Sequence, residues 1–250
     1  MTRIAAVGDI HVGTDSVGRV AAGLEHVAER ADVLLLAGDL TRCGTAEEAE
    51  LVAAELAAVE LPIVAVLGNH DLHAGREDEV VAVLESVGVI VLDGSAARIE
   101  VGPGQAVLGI AGTKGFGGGF AGACATAFGE RAMKAFVEET RGEAARLHDA
   151  LVRAGEGADH VVALLHYSPV EDTLRGERLE IYPFLGSHLL AEAVDTAGAD
   201  LIVHGHAHGG SERGVTPGGI VVRNVAQPVI GHAYRVFDLR DRVGAAQSVA

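Results

Sequence analysis

Val33-Leu34-Leu35-Leu36-Ala37-Gly38-Asp39-Leu40-Thr41 is the stretch that decides the fold, five consecutive apolar side chains ending at a glycine and a carboxylate. A run that short and that uniformly apolar reads as a strand buried on both faces, as in sheets covered by helices on each side. Asp39 then sits at the strand's carboxyl end, the edge of an open α/β sheet where ligands collect. Gly38 lets the backbone turn sharply enough for Asp39 to face that crevice. The arrangement recurs. Ile4-Ala5-Ala6-Val7 runs into Gly8-Asp9-Ile10-His11, and Ile63-Val64-Ala65-Val66-Leu67 runs into Gly68-Asn69-His70-Asp71. Further along, Val161-Val162-Ala163-Leu164-Leu165 leads to His166, and Asp200-Leu201-Ile202-Val203 leads to His204-Gly205-His206. Each apolar run ends in Asp, Asn or His, and none ends in Lys or Arg.

The surrounding composition fits a large α/β unit. The chain has 250 residues, 49% of them hydrophobic, which is ample for a buried core. No internal repeat, low-complexity linker or boundary divides it, so residues 1–250 read as a single domain. Thirty-four glycines are about twice the usual share of roughly 7%, and many stand beside the polar strand ends. The formal charge of -16, from 35 acidic against 19 basic residues, gives a mean field that repels polyanions. That argues against nucleic acid as a partner, because sequence-independent binding draws its affinity from Lys and Arg on phosphates. Bound divalent metals would supply a local cationic patch without any basic side chain. The two cysteines, Cys43 and Cys124, make neither a disulfide framework nor a zinc knuckle and read as reduced thiols of a cytoplasmic protein. Asp9 and His11 come too early for a signal peptide, and no apolar run approaches the roughly 20 residues of a spanning helix, so no membrane partner is expected. A homo-oligomer is compatible with the sequence.

Taken in order, Val17, Val20, Leu24, Val27 and Ala28 form a helical stripe over Val17 to Ala31, and Thr45-Ala46-Glu47-Glu48 is a capping box opening a helix that runs towards Pro62. Strand, helix, strand, helix, strand is thereby complete at Leu67. A βαβαβ unit forces parallel strands and right-handed crossovers, which bring Asp9, Asp39 and Asn69 to one edge. Glu79 to Val87 is a further short helix. Three strand-like runs follow, Val89-Ile90-Val91-Leu92, Ala97 to Val101 and Ala106 to Ile110, joined by Asp93-Gly94 and Gly102-Pro103-Gly104 turns and read as a β-meander. The glycine-rich segment from Gly112 to Phe120 has no periodicity and serves either as a mobile lid or as a close backbone approach to a ligand. Within it Lys114, Phe116 and Phe120 either offer a cation and ring faces to a nucleotide or pack as ordinary loop residues. Met133, Phe136, Val137, Thr140, Ala144, Leu147 and Leu151 mark a long amphipathic helix, and a shorter one lies near Ser187 to Ala197. Two strand-like runs, Gly219 to Asn224 and Ala233 to Asp238, close the fold, and the polar tail after Asp241 is expected to fray.

The strand ends collect Asp9, His11, Asp39, Asn69, His166, His204 and His206, a mixed oxygen and imidazole set without a thiolate. Such donors suit Mn, Fe or Zn better than Ca or Mg, which prefer oxygen shells. Seven donors exceed what one ion takes while leaving room for substrate, and two ions sharing a carboxylate, roughly 3.5–4 Å apart, resolve the count.

In their order and spacing, Gly8-Asp9-Ile10-His11, Gly38-Asp39, Gly68-Asn69-His70-Asp71, His166 and His204-Gly205-His206 resemble the signature of the calcineurin-like metallophosphoesterases, and the spacing is similar to that of class III cyclic-nucleotide phosphodiesterases. The resemblance implies a four-layer α-β-β-α sandwich of two mixed sheets flanked by helices, the second sheet being supplied by the meander and the final hairpin-like strands. It also implies two divalent or mixed-valence metal ions: Asp9, His11 and His206 on one, Asn69, His166 and His204 on the other, and Asp39 between them. The implied activity is hydrolysis of a small phosphoester or phosphodiester by a metal-bridging hydroxide, whose pKa two cations lower towards neutrality.

His70, next to Asn69, is placed to protonate or stabilise the leaving group, and Asp71 either orients His70 or only caps the turn. Asn69 and His208 are candidates for touching the substrate, His208 alternatively facing solvent, and His73 is a candidate for the rim or a structural residue. A metal-dependent nuclease of the same family and a non-catalytic scaffold are the alternatives. The scaffold reading requires lost ligands or a lost His70, and this chain keeps all of them.

Overall fold

Strict alternation along the apolar strands sets the layering. The computed structural model describes residues 1–102 and 106–239. Its strands are β1 (Thr2–Val7), β2 (Val33–Ala37), β3 (Ile63–Val66), β4 (Val89–Val91), β5 (Ser95–Val101), β6 (Ala106–Thr113), β7 (Gly119–Phe120), β8 (Ala123–Cys124), β9 (His160–Leu165), β10 (Leu201–His204), β11 (Arg213–Val215), β12 (Val221–Asn224) and β13 (Arg235–Leu239). The helices are α1 (Arg19–Leu24), α2 (Val27–Arg30), α3 (Ala46–Leu56), α4 (Glu77–Ser86), α5 (Arg131–Gly155), α6 (Tyr182–Leu185), α7 (His188–Ala197) and α8 (Gln227–Ile230). On β2, Leu34 and Leu36 face a core shared with α1, α2, α3 and α4. Val33, Leu35 and Ala37 face the opposite way, into a second core against Leu108, Ile110, Val162, Leu164, Leu201 and Val203. A third core joins Val161, Ala163, Leu165 and Ile202 to Leu147, Leu151, Leu190 and Val194 of α5 and α7. Helix, sheet, sheet, helix is therefore the order of layers, because side chains of period two point to opposite faces of each strand.

Both sheets are mixed. The first has the order β13-β1-β2-β3-β4, with β1 to β4 parallel and β13 antiparallel at its edge. The second has the order β11-β12-β10-β9-β6-β5, with four parallel strands between antiparallel edges. The expected meander is divided: β4 joins the first sheet beside β3, while β5 and β6 pair only in the second. The last two strands are not a hairpin either, since β12 lies beside β10 and β13 beside β1. A short apolar strand satisfies its backbone equally well in either sheet, so the choice rests on long-range packing. The turn expected at 102–104 falls mostly, and the tail after Asp241 entirely, outside the described residues.

Local signals are realised with small shifts. Thr45 accepts a hydrogen bond from Glu48 N at 3.2 Å and caps α3, while the Glu48 carboxylate turns back to accept from Cys43 N at 2.6 Å. The helix expected over Val17 to Ala31 is two short helices, broken at Glu25 and His26. It starts at Arg19 because the buried Glu55 carboxylate of α3 accepts from Gly18 N and Ala21 N, satisfying amides that the first helical turn leaves free. The long amphipathic helix is α5, although Met133 lies outside its buried face.

Candidate metal centre

The parallel strands β1, β2 and β3 of one sheet and β9 and β10 of the other release their chains towards the same place. The exits are stitched together: Asp9 N donates to Gly38 O, His11 N to Asp39 O, and Gly205 N to His166 O at 3.1 Å. Among the described residues the non-glycine positions with positive φ are Asp9 (58°), His11 (44°), Asp39 (52°) and His206 (69°), all of them donors. Left-handed backbone at a bulky residue costs of order 1–3 kcal/mol, and its concentration here marks a site whose surroundings hold it in place. The walls are close enough to require glycine: a Cβ on Gly68 would collide with the Asp39 carboxylate, and one on Gly205 with that of Asp9.

Two donor groups converge. In the first, Asp9, His11, Asp39 and His208 bring one donor atom each within 4.8 Å of one another, and Asp39, His166 and His206 do the same in the second. Asp39 belongs to both and divides its oxygens between them, Oδ2 lying 3.8 Å from His11 Nε2 and Oδ1 3.3 Å from His166 Nε2. His208 Nε2 is 2.8 Å from Asp9 Oδ1, and Asn69 Oδ1 is 3.0 Å from His166 Nε2, which adds the amide oxygen to the second group.

Hydrogen bonds fix which ring nitrogen faces the donors. His166 Nδ1 donates to Ala37 O at 2.9 Å, so its Nε2 presents the lone pair. His206 Nε2 donates to Phe184 O at 3.2 Å and leaves Nδ1 free. Burial pulls His166 and His206 down to about 3, so both are neutral near pH 7, the form that can coordinate a cation. Burial pushes Asp9 up to about 6, helped by the Asp39 charge and opposed by the hydrogen bond from His208, whose own value is raised by that contact. Carboxylates crowded into a buried place beside neutral imidazoles are relieved by a cation, and this thiolate-free set fits Mn, Fe or Zn.

His204 stands apart from both groups: its Nδ1 donates to Gly205 O at 2.8 Å and its Nε2 lies 2.9 Å from Thr173 Oγ1. On β10, Leu201 and Val203 face the core between the sheets, so Ile202 and His204 face the other side. Beyond β10 it is His206 and His208 that fall in these groups, His206 beside His166 and His208 beside Asp9 and His11. The sequence carried a signal for this, since Gly8, Gly38 and Gly68 each precede their donor whereas His204 precedes its glycine.

Asp71 caps the turn after β3. Its buried carboxylate accepts from Leu40 N (3.2 Å), Thr41 N (2.8 Å), Thr41 Oγ1 (2.7 Å) and Gly68 N (2.8 Å), bracing the loops after β2 and β3 instead of touching His70. His70 is oriented by Arg42 O, 2.7 Å from Nδ1, and by its own N–H to Asp39 Oδ1 at 2.8 Å. Its ring lies 4.5 Å from that of His11, at the edge of the first group. Tyr167 was missed by sequence reasoning: its ring is 4.2 Å from His206 and 5.6 Å from His166. The glycine-rich segment is not an open lid, for Gly118 N donates to Pro183 O and Gly119 N to Gly186 O, and Phe120 is buried with Leu174, Leu185 and Ala207.

The family model for calcineurin-like phosphoesterases matches residues 2–210, a span that contains every donor of both groups. The chain belongs to this family. It is accordingly a metal-dependent phosphoester hydrolase, of a family that acts on small phosphoester substrates. No curated protein sequence matches it. Among solved structures it is similar to the phosphopantetheinyl hydrolase PptH from Mycobacterium tuberculosis, with 16% identity, a TM-score of 0.60 and 98% of each chain covered. It is also similar to TT1561 of Thermus thermophilus, with 15% identity, a TM-score of 0.53, and 89% of this chain and 88% of that one covered. A putative 5'-nucleotidase from Staphylococcus aureus matches at 16% identity and a TM-score of 0.56, over 89% of this chain and 48% of that one. At these identities the likeness is one of fold. No helix among the described residues is long and apolar enough to cross a membrane.

Proposed function

We propose that the chain holds two divalent cations, Mn, Fe or Zn, and hydrolyses a small phosphomonoester or phosphodiester between them. Asp9, His11 and His208 take one cation, Asn69, His166 and His206 the other, and Asp39 gives one oxygen to each. That division of the Asp39 carboxylate, Oδ2 towards His11 and Oδ1 towards His166, is the observation that carries the reading. When bound, the cations supply a nucleophilic water at neutral pH and offset charge on the phosphoryl oxygens.

The chain's own groups do the rest. His70, its Nδ1–H committed to Arg42 O, presents Nε2 to the departing oxygen and in its protonated form donates to it. Asp71 holds the loop bearing Asn69 and His70 against the one bearing Asp39, so that all three keep their relative positions as charge shifts. His204 fixes the Gly205 carbonyl and with it the backbone leading to His206 and His208. Cys43 and Cys124, both free thiols, support a cytoplasmic setting.

The test is a metal-reconstituted screen of p-nitrophenyl phosphate, bis-p-nitrophenyl phosphate, 2',3'- and 3',5'-cyclic nucleotides and single-stranded DNA. Turnover of a small ester that is lost on chelation is expected. Cleavage of DNA alone would replace the reading with a nuclease, and no turnover with any metal would leave a scaffold.

A further inference from the structure

Aromatic residues are scarce in this chain, six Phe and three Tyr with no Trp, yet four of the nine gather beside the second donor group. Starting from His206, ring centroids run 4.2 Å to Tyr167, 6.0 Å on to Phe116, 5.1 Å to Phe136 and 6.5 Å to Phe184. The series closes on its starting point, because Phe184 O is the acceptor 3.2 Å from His206 Nε2. The rings thus form a wall around one side of the donor group. The Lys114 ammonium lies in the same wall, 5.1 Å from the Phe116 centroid and 5.2 Å from that of Tyr167.

The wall is built and partly open. Gly117 allows the chain at Phe116 to nest against that at Phe184, since a Cβ there would press on Pro183 O and touch Phe136 Cζ and Phe184 Cα at 3.3 Å. Gly118 N to Pro183 O at 2.7 Å locks the two segments together. Tyr167 is buried and Phe116 and Phe136 are half-buried, but Phe184 is 62% exposed. Packing alone does not call for a ring at Phe184, which leaves most of its surface in water while its backbone holds a donor histidine.

We propose that this wall is the specificity subsite for the organic half of the substrate, and that it selects phosphoesters carrying a planar aromatic group, a nucleobase or an aryl ring, over those carrying an aliphatic one. This rests on the dimetal phosphoesterase reading above. The phosphoryl group sits at the donors, and the planar substituent lies against the open ring of Phe184 and the half-open rings of Phe116 and Phe136. Base and aryl faces stack on such rings without demanding particular hydrogen-bond partners.

Non-hydrolysable probes separate this from catalysis. Calorimetry on the full-chain, Mn(II)-reconstituted protein compares phenylphosphonate with cyclohexylphosphonate, which share charge and near-equal size, and the 5'-methylenephosphonate isostere of adenosine 5'-monophosphate with that of ribose 5-phosphate. The aromatic member of each pair is expected to bind roughly 10-fold more tightly. Phe184→Ala and Phe184→Leu, the second keeping apolar surface but no ring, bring each ratio within about twofold, and Phe184→Trp preserves it. Melting midpoints equal to wild type confirm that the exposed substitutions leave the fold intact. Ratios near one in the wild type, or ratios that survive both Ala and Leu, overturn the inference while phosphoester turnover stands. Absence of phosphonate binding together with absence of turnover overturns the dimetal reading and this inference with it.

Discussion

His166 and His204 end adjacent parallel strands of one sheet, and both are fully buried beside apolar neighbours. Their environments are nevertheless opposite. His166 continues the even-numbered face of Val162 and Leu164, looks into the space between the sheets and meets Asp39 and Asn69. His204 continues the face of Ile202, looks towards the outer layer and meets Thr173, which in turn lies 2.8 Å from Ser168 Oγ. One residue of strand parity separates an imidazole that meets the carboxylate cluster from one that braces the loop behind it, and residue type alone carries no trace of the difference.

Paired substitutions test that contrast most directly. His166→Ala is expected to lower metal content and to cut turnover by more than the roughly 100-fold that loss of a supporting partner can cost. His204→Ala is expected to keep its metal, read by elemental analysis, and instead to lose about 1–3 kcal/mol of stability because two buried hydrogen bonds, to Thr173 Oγ1 and to the Gly205 carbonyl, are removed. Metal loss in His204→Ala with metal retained in His166→Ala would reverse the assignment.

His70 sharpens the same comparison from the other side of the cleft, since it lies beside the donors without being one. His70→Ala should lower kcat by roughly 10²–10⁴-fold at unchanged metal content. The loss should be greater for alkyl than for p-nitrophenyl leaving groups, and an equal loss for both would remove it from leaving-group protonation. Asp71 resembles His204 in acting through backbone. Asp71→Asn turns an amide N–H towards donors that need acceptors, and a loss of about 1–3 kcal/mol in urea unfolding is expected, with a smaller fall in turnover than for His70→Ala.

The smallest effect lies at the far end of β1, away from both histidines. Arg3 Nη2 pairs with Asp32 Oδ1 at 2.9 Å, and Asp32 Oδ2 also accepts from Arg3 N at 2.7 Å. Burial raises the Asp32 pKa, but the hydrogen bonds and charge of Arg3 outweigh it and hold the carboxyl below its ordinary 3.8. A depressed acid contributes stability that is complete above the unfolded value and disappears as pH falls through the folded one. The pair is partly exposed, so its contribution is below about 1 kcal/mol. The urea midpoint should drop slightly between pH 5 and pH 3, and Asp32→Asn should reduce that drop.

Legibility followed the range of the interaction concerned. β1, β2 and β3 were readable because buried parallel strands are uniformly apolar and their crossover helices carry their own periodicity. Gly8-Asp9, Gly38-Asp39 and Gly68-Asn69 were readable because a glycine at a strand exit announces the turn that exposes the next side chain. The sheet to which Val89–Val91 and Arg235–Leu239 belong was not readable, since either sheet offers the same backbone partners. Gly205 hinted that His206, not His204, begins the exposed set after β10, but which carboxylate His206 and His208 would each approach was hidden, because it depends on how the two sheets pack.

The amino-acid sequence by itself determined the inventory: five buried strand ends, a set of carboxylate, amide and imidazole donors without thiols, and a surface charge unfavourable to polyanions. Only the tertiary structure decided which imidazoles meet the carboxylates and which brace the sheet from behind, and that the glycine-rich segment anchors a wall of rings. The inventory follows from composition and local periodicity, which each segment carries alone. The choice among like residues follows from the direction of each side chain, which is fixed when two sheets pack face to face.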